Sequence, residues 1–212
     1  KSVDYFELTK RKTVNELLTD IIDYDVISFD IFDTVIFRKV EKPVDIFNIM
    51  AKETGLNDFA DIRKKSEDFA RKKKEKTCGT REIVLSDIYE CMEERFSVDR
   101  KWMNREIELE LSMSMPNEYI FQVYKKLLRF DKTIVFMTDM YLPLNVIENL
   151  LSKNGYDEYD QIFLSNEYKL RKGDGTLQEE LLKAYPNQKI VHIGDNYEAD
   201  VKNAFSTVLN KL

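Results

Sequence analysis

The sequence predicts an α/β fold: a doubly wound parallel sheet with an all-helical insertion. Three observations lead there. Four short apolar, β-forming runs occur, Val26 to Phe29, Thr133 to Met137, Gln161 to Leu164 and Lys189 to Ile193. From the second run onward they alternate with stretches of helical periodicity, as parallel strands and their crossover helices do. Between the first run and the second, the stretch from Arg38 to Asp131 reads almost wholly helical.

The elements follow in order. Residues Tyr5 to Asp23 take helical spacing from Val14 onward, with Leu17, Leu18, Ile21 and Ile22 on the apolar face. Strand one, Val26 to Phe29, delivers Asp30. Pro43 starts the first inserted helix and Gly55 stops it, the positions each residue favours at helix ends. Helices are predicted over Asp58 to Lys76, Ser86 to Phe96 and Arg100 to Met113. Another opens at Pro116, with Tyr119, Ile120, Val123, Tyr124, Leu127 and Leu128 on one stripe. Strand two is Thr133 to Met137, followed by Thr138 and Asp139. A helix runs from near Pro143 to Gly155, then strand three from Gln161 to Leu164. A loop from Ser165 to Gly175 carries Lys169, Arg171 and Lys172. A helix from about Thr176 to Ala184 leads to strand four, Lys189 to Ile193, and then to Gly194-Asp195-Asn196. Glu198 to Phe205 is read as a last helix and Thr207 to Leu209 as an edge strand. The core is expected in residues 1–37 and 132–212 and the insertion in 38–131, with the 116–131 helix free to pack on the core.

Composition narrows the partners. The chain has 212 residues, 43% hydrophobic and 34% charged, with only 6 Gly and 4 Pro, which describes a folded, helix-rich chain. A formal charge of -6 argues against a nucleic-acid backbone as main partner, since phosphate contacts need clustered cations. A small phosphorylated molecule needs only a local cation. Cys78 and Cys91 form no CxxC pair, so neither a disulfide framework nor a zinc site is expected. No apolar run is long enough to span a bilayer and no signal sequence is read at the start, so the expectation is the cytoplasm. Because the first residue is Lys1, the chain is expected to be part of something longer. Arg71 to Lys74, the main basic run, reads as a solvated helix face, with substrate attraction as the alternative.

The strand ends carry the chemistry. Asp30 and Asp33, Thr138 and Asp139, and Asp195 all follow strands, Lys172 lies in the loop after strand three, and Asp200 lies five residues beyond Asp195. In a parallel sheet these ends share one edge, where open α/β sheets bind ligands. A carboxylate beside an apolar core is costly, which makes Asp30 a site candidate, though alone it could simply cap a turn. Clustered carboxylates raise one another's pKa, and a hard divalent cation with oxygen ligands, Mg²⁺, relieves that.

From about Asp25 to Phe205 the chain resembles the haloacid dehalogenase-like (HAD) superfamily. The resemblance rests on four motifs in order: Asp30 with Thr34, Thr138, Lys172 in KGDG, and Asp195 with Asp200 in GDNYEAD. It implies a Rossmann-like core, with the insertion as a C1-type cap that sets specificity from around Lys74 to Arg81. The wording SFDIFDTVIFR, MTDMYLP and HIGDN looks closest to a bacterial branch associated with surface-polysaccharide glycosyltransferases. The implied activity is a Mg²⁺-dependent phosphohydrolase acting on a sugar phosphate or nucleotide-type metabolite through an aspartyl-phosphate on Asp30. Asp30, the backbone carbonyl of Phe32, Asp195 and Asp200 would serve the metal. Thr138, the Asp139 backbone N–H and Lys172 would bind phosphate, and Asp200 would orient Lys172 or a metal-bound water. Lys169 and Arg171 are rivals for the role of Lys172.

One position departs from the pattern. The family's phosphatases carry a proton-transferring Asp two residues after the nucleophile, and this chain has Phe32. Asp33 sits one residue further along, where a local bend could aim it inward. Dehalogenases also place an aromatic there, because halide leaves without a proton, but they use no metal. The alternatives are therefore a metal-independent 2-haloacid-type dehalogenase, or a weakly active or regulatory domain of a glycosyltransferase-associated protein. Among smaller signals, His192 reads as buried packing, the Asp139 side chain as a cap of the next helix, Asn196 as a neighbour of the metal, and Trp102 as cap core.

Overall fold

The computed structural model describes residues 12–194 and 207–209, the last three by backbone only. Five parallel strands form the main sheet. They are β1 (Val26–Asp30), β4 (Thr133–Thr138), β5 (Gln161–Leu164), β6 (Ile190–Gly194) and β7 (Thr207–Leu209), in the spatial order β5-β4-β1-β6-β7. All five residues of β1 are buried, as a strand covered on both faces must be. Register fixes which ends meet: Asp30 pairs with Met137, Thr138 with Leu164, and Phe29 with Ile193. Asp30, Thr138 and Gly194 therefore finish their strands side by side.

Helices wrap this sheet. α1 (Val14–Ile21) starts in a capping box, where Thr13 Oγ1 accepts from Glu16 N–H and the Glu16 carboxylate accepts from Thr13 N–H. It packs on α6 (Glu118–Leu127), which leaves its own stripe of Ile120, Val123, Tyr124 and Leu127 buried. Tyr124 also meets Tyr156, a core residue, with ring centroids 4.9 Å apart. α7 (Leu144–Lys153) follows β4, and α9 (Thr176–Ala184) precedes β6.

The insertion is helical, as its periodicity predicts. It contains α2 (Val44–Thr54), α3 (Phe59–Cys78), α4 (Leu85–Phe96) and α5 (Trp102–Met113). Its interior holds an ion pair: Arg63, with no exposed surface, donates to both Glu106 oxygens at 2.9 and 2.8 Å, and Tyr89 donates to Glu106 at 2.7 Å. Burial works against the Arg63 charge, but Glu106, Tyr141 and Glu67 together outweigh it and push its pKa up. The basic run faces its own helical neighbours. Arg71 pairs with Glu67, Lys72 with Asp68, Lys73 with Glu90 and Glu94, and Lys74 with Asp87, which matches a solvated helix face. Trp102 packs against the hydrophobic core.

The structure adds three short elements to those expected. β2 (Ile36–Arg38) and β3 (Ser114–Pro116) pair antiparallel where the chain leaves and re-enters the core. α8 (Ser165–Tyr168) occupies the start of what reads as a loop. Each has three or four residues, too few for any hydrophobic period to register. The helix expected over Glu198 to Phe205 lies outside the described residues, and so do Asp195, Asn196 and Asp200.

Candidate active site

Asp30 ends β1 almost fully buried, and Lys172 Nζ donates to its Oδ1 at 2.6 Å. The ammonium is itself buried, with 4% of its side chain exposed. A buried charge is tolerable only with a partner and further hydrogen bonds, so this contact fixes both side chains. Lys169 and Arg171 are exposed, with Lys169 in a left-handed turn (φ 58°), and it is Lys172 whose ammonium meets Asp30.

The loop that carries Lys172 is held from the neighbouring strand end. The Asp139 carboxylate accepts the Lys172 backbone N–H at 2.9 and 3.1 Å. This corrects the expectation that Asp139 caps the next helix: α7 begins at Pro143 without a side-chain cap, and the carboxylate pins the Lys172 loop instead. Burial pushes the Asp139 carboxyl pKa up, and the Lys172 N–H, the Lys172 and Arg171 charges and the Gly173 N–H oppose it. The residue as a whole stays exposed, so it is the carboxyl end that lies against the loop. Thr138, 3% exposed, sits one strand away from Asp30.

The turn after β1 is tight. Val35 and Ile36 N–H groups both donate back to Ile31 O, and Asp33 N–H donates to Ile36 O. Asp33 occupies the left-handed region (φ 61°), which asparagine and aspartate tolerate better than most residues. The bend expected after Asp30 exists, yet it leaves Asp33 exposed. Phe32 packs under the Arg38 guanidinium, 4.5 Å from the ring centroid, and Arg38 donates to Glu110 at 3.0 Å. Thr34 is fully buried, its Oγ1 without a hydrogen-bond partner among the described residues. His192 is buried inside β6 with Nδ1 2.8 Å from Ser28 Oγ, the packing role expected of it.

The helical insertion meets this edge through the loop at residues 79–84. Leu85 N–H donates to Tyr141 O at 2.8 Å, Thr80 Oγ1 to Lys169 O at 3.5 Å, and Glu82 pairs with Arg171 Nε at 3.5 Å. Glu82 is 8% exposed. Burial raises its pKa, the nearby Ser165 hydroxyl opposes that, the Asp139 charge adds to the rise, and Arg71 and Arg171 oppose it. Sequence reading missed Glu82. Its one signal is position, in the break between the Gly79 stop and the helix that begins at Leu85.

The oxygen donors here suit a hard cation: Asp30 offers a carboxylate and Phe32 a backbone carbonyl. Among the described residues no group of three or more His, Cys, Asp or Glu side chains forms a metal cluster. Two open clefts, of about 440 and 560 Å³, lie away from Asp30, the first beside β5 and the second by Tyr24 and Lys189. The chemistry, not the depth of a cleft, therefore locates the site.

No family model matches this chain. No curated protein matches it either. Solved structures do. A HAD family enzyme from Bacteroides thetaiotaomicron matches with a TM-score of 0.61 at 14% identity, covering 89% of this chain and 94% of that one. YfnB of Bacillus subtilis, described as a HAD-hydrolase and bound to magnesium, matches at 0.58 and 15%, covering 85% and 83%. L-2-haloacid dehalogenase from Xanthobacter autotrophicus matches at 0.60 and 10%, covering 87% and 76%. At such identities the likeness is one of fold. The chain has the HAD-like α/β fold. Among the described residues no helix is long and apolar enough to cross a membrane.

Proposed function

We propose that this chain is a Mg²⁺-dependent phosphohydrolase acting on a small phosphorylated metabolite, a sugar phosphate or nucleotide-type compound, in the cytoplasm. The observation that carries this reading is the 2.6 Å contact between Lys172 Nζ and Asp30 Oδ1 at the carboxyl edge of a parallel sheet. A carboxylate so placed is a nucleophile held beside a fixed positive charge. Asp30 attacks phosphorus, the bond to the leaving oxygen breaks, and an aspartyl-phosphate forms. Thr138 Oγ1 donates to a phosphoryl oxygen, and the backbone N–H of Asp139 donates to another. Lys172 offsets the charge that gathers on the nucleophile and the phosphoryl group, the electrostatic part of such catalysis.

Asp30, the Phe32 carbonyl, Asp195 and Asp200 would hold the cation, which when bound shields the attacking carboxylate from the anionic phosphoryl group. Phosphate release from a panel of sugar phosphates and nucleotides, with Mg²⁺ and with chelator, tests the reading. Release that depends on Mg²⁺ and on Asp30 supports it, and equal rates with chelator present sink it.

A second reading is a 2-haloacid dehalogenase, favoured by Phe32 at the position where phosphatases of this fold carry an acid. There Asp30 attacks carbon and halide departs without a proton. Halide release from 2-haloacids in the absence of metal would decide for it. Association with a glycosyltransferase belongs with a nucleotide-sugar substrate, and co-purification of the two proteins tests it.

A further inference from the structure

We propose that Glu82, supplied by the cap, is the proton-transfer residue that Phe32 cannot be. The inference rests on the phosphohydrolase reading above and adds to it the group that serves the leaving oxygen.

The need comes first. An aspartyl-phosphate forms when a P–O bond breaks, and an alkoxide leaving from a sugar must gain a proton. Later a water must lose one to attack the phosphoenzyme. Such help is typically worth ~10²–10⁴-fold. Phe32 carries no titratable group. Asp33 is exposed in its left-handed turn. The Asp139 carboxylate is engaged by the N–H groups of Lys172 and Gly173.

Glu82 meets the remaining requirements. It lies in the loop at 79–84, which meets the Lys172 loop through Thr80 Oγ1 and Lys169 O and through Glu82 and Arg171. It reaches the loops that carry the proposed phosphate ligands, through Arg171 beside Lys172, Ser165 at the end of β5, and the charge of Asp139 next to Thr138. It is 8% exposed, so little solvent competes for its proton. Those neighbours, with Arg71, are the charged and hydrogen-bonding groups that face it. Burial and Asp139 favour the protonated form a general acid needs, while Arg71, Arg171 and Ser165 keep the carboxylate within reach for the second step.

The steps balance. In the first, Asp30 forms its bond to phosphorus, the bond to the leaving oxygen breaks, and the Glu82 proton goes to that oxygen. In the second, the Glu82 carboxylate takes a proton from water as the water oxygen bonds phosphorus and the Asp30–phosphorus bond breaks. Inorganic phosphate departs and Glu82 is again protonated.

The test compares two substrates on the full chain with Mg²⁺. One is p-nitrophenyl phosphate, whose phenolate leaves without a proton. The other is a sugar phosphate with an alcohol leaving group, chosen from those the wild type turns over. Glu82→Gln keeps shape and hydrogen bonding but cannot transfer a proton. With the aryl ester it should release a burst of one equivalent of nitrophenolate and then slow, while intact-mass spectrometry shows the protein carrying one phosphoryl group. With the sugar phosphate it should show no burst and a rate lower by about 10²–10⁴-fold. Melting curves check that the variant folds, and Glu82→Asp should recover part of the sugar-phosphate rate.

Equal losses on both substrates without phosphoenzyme would make Glu82 a structural tie and overturn the proposal, as would wild-type rates on both. A wild type inactive on every phosphate ester, or an Asp30→Asn variant as fast as wild type, would instead remove the phosphohydrolase reading and this inference with it.

Discussion

Lys172 joins two requirements in one side chain. It must be buried to act strongly on Asp30, and it must be held by its backbone to stay there. The Asp139 carboxylate meets the second need through the Lys172 N–H. Lys172→Met keeps the aliphatic stem and removes the charge. It should cut phosphate release by roughly 10²–10³-fold, the scale on which removing one transition-state donor acts. Asp139→Asn should cost less, because an amide oxygen still accepts the N–H. Initial rates on one substrate check the order of the two. That Asp30 and Thr138 stand at one edge of the sheet was legible because each closes an apolar run, and Lys172 stood out because it precedes a glycine. Asp139 was half legible: its place in the site could be read, but not that its side chain faces a loop 33 residues away. Glu82 was not legible, because a carboxylate between two helices usually faces water, and this one is 8% exposed.

At the scale of elements, periodicity located every helix of eight residues or more among the described residues, with ends within two positions except that the helix expected over 116–131 stops at Leu127. Strand β5 matched its prediction at both ends, Gln161 and Leu164. What it could not show was how elements abut. Gly155 is an example. It stops α7 in the left-handed region (φ 83°), and a Cβ built there would lie 3.0 Å from Phe121 Cζ. The sequence marked this glycine as a helix stop, but not the aromatic ring of α6 beside it. Gly155→Ala should therefore cost about 1–2 kcal/mol from the backbone alone, plus whatever the ring must shift. By contrast, a Cβ at Gly79 would meet nothing within 4 Å, so Gly79→Ala should show only the backbone cost. Urea midpoints of the two variants, compared at equal slope, test the difference.

The whole molecule turns on how the sheet and the helical insertion are joined, and Arg38 stands at that junction. It lies on β2, its guanidinium covers Phe32 beside Asp30, and it donates to Glu110 on α5 inside the insertion. Both side chains are buried, 7% and 3% exposed. Burial raises the Glu110 pKa, and the Arg38 charge and hydrogen bond pull it back down. Arg38→Met would leave the carboxyl buried without that cation, at a cost of about 3–5 kcal/mol for one partner lost. The sign of the pH dependence follows. Without Arg38 the folded-state pKa rises further above the unfolded value of about 4.3. The folded chain then holds a proton that the unfolded chain gives up, so stability is greatest below the unfolded pKa and declines as pH rises through the folded one. The gap between variant and wild type should thus widen from about pH 5 to pH 8. Arg38→Met with Glu110→Gln should remove most of that dependence, because the carboxyl that lost its cation is gone. Melting temperatures of the three proteins across this range decide it: a gap that stays constant with pH would mean that the Arg38 stem, packed on Phe32, and not its charge, holds the cap to the core.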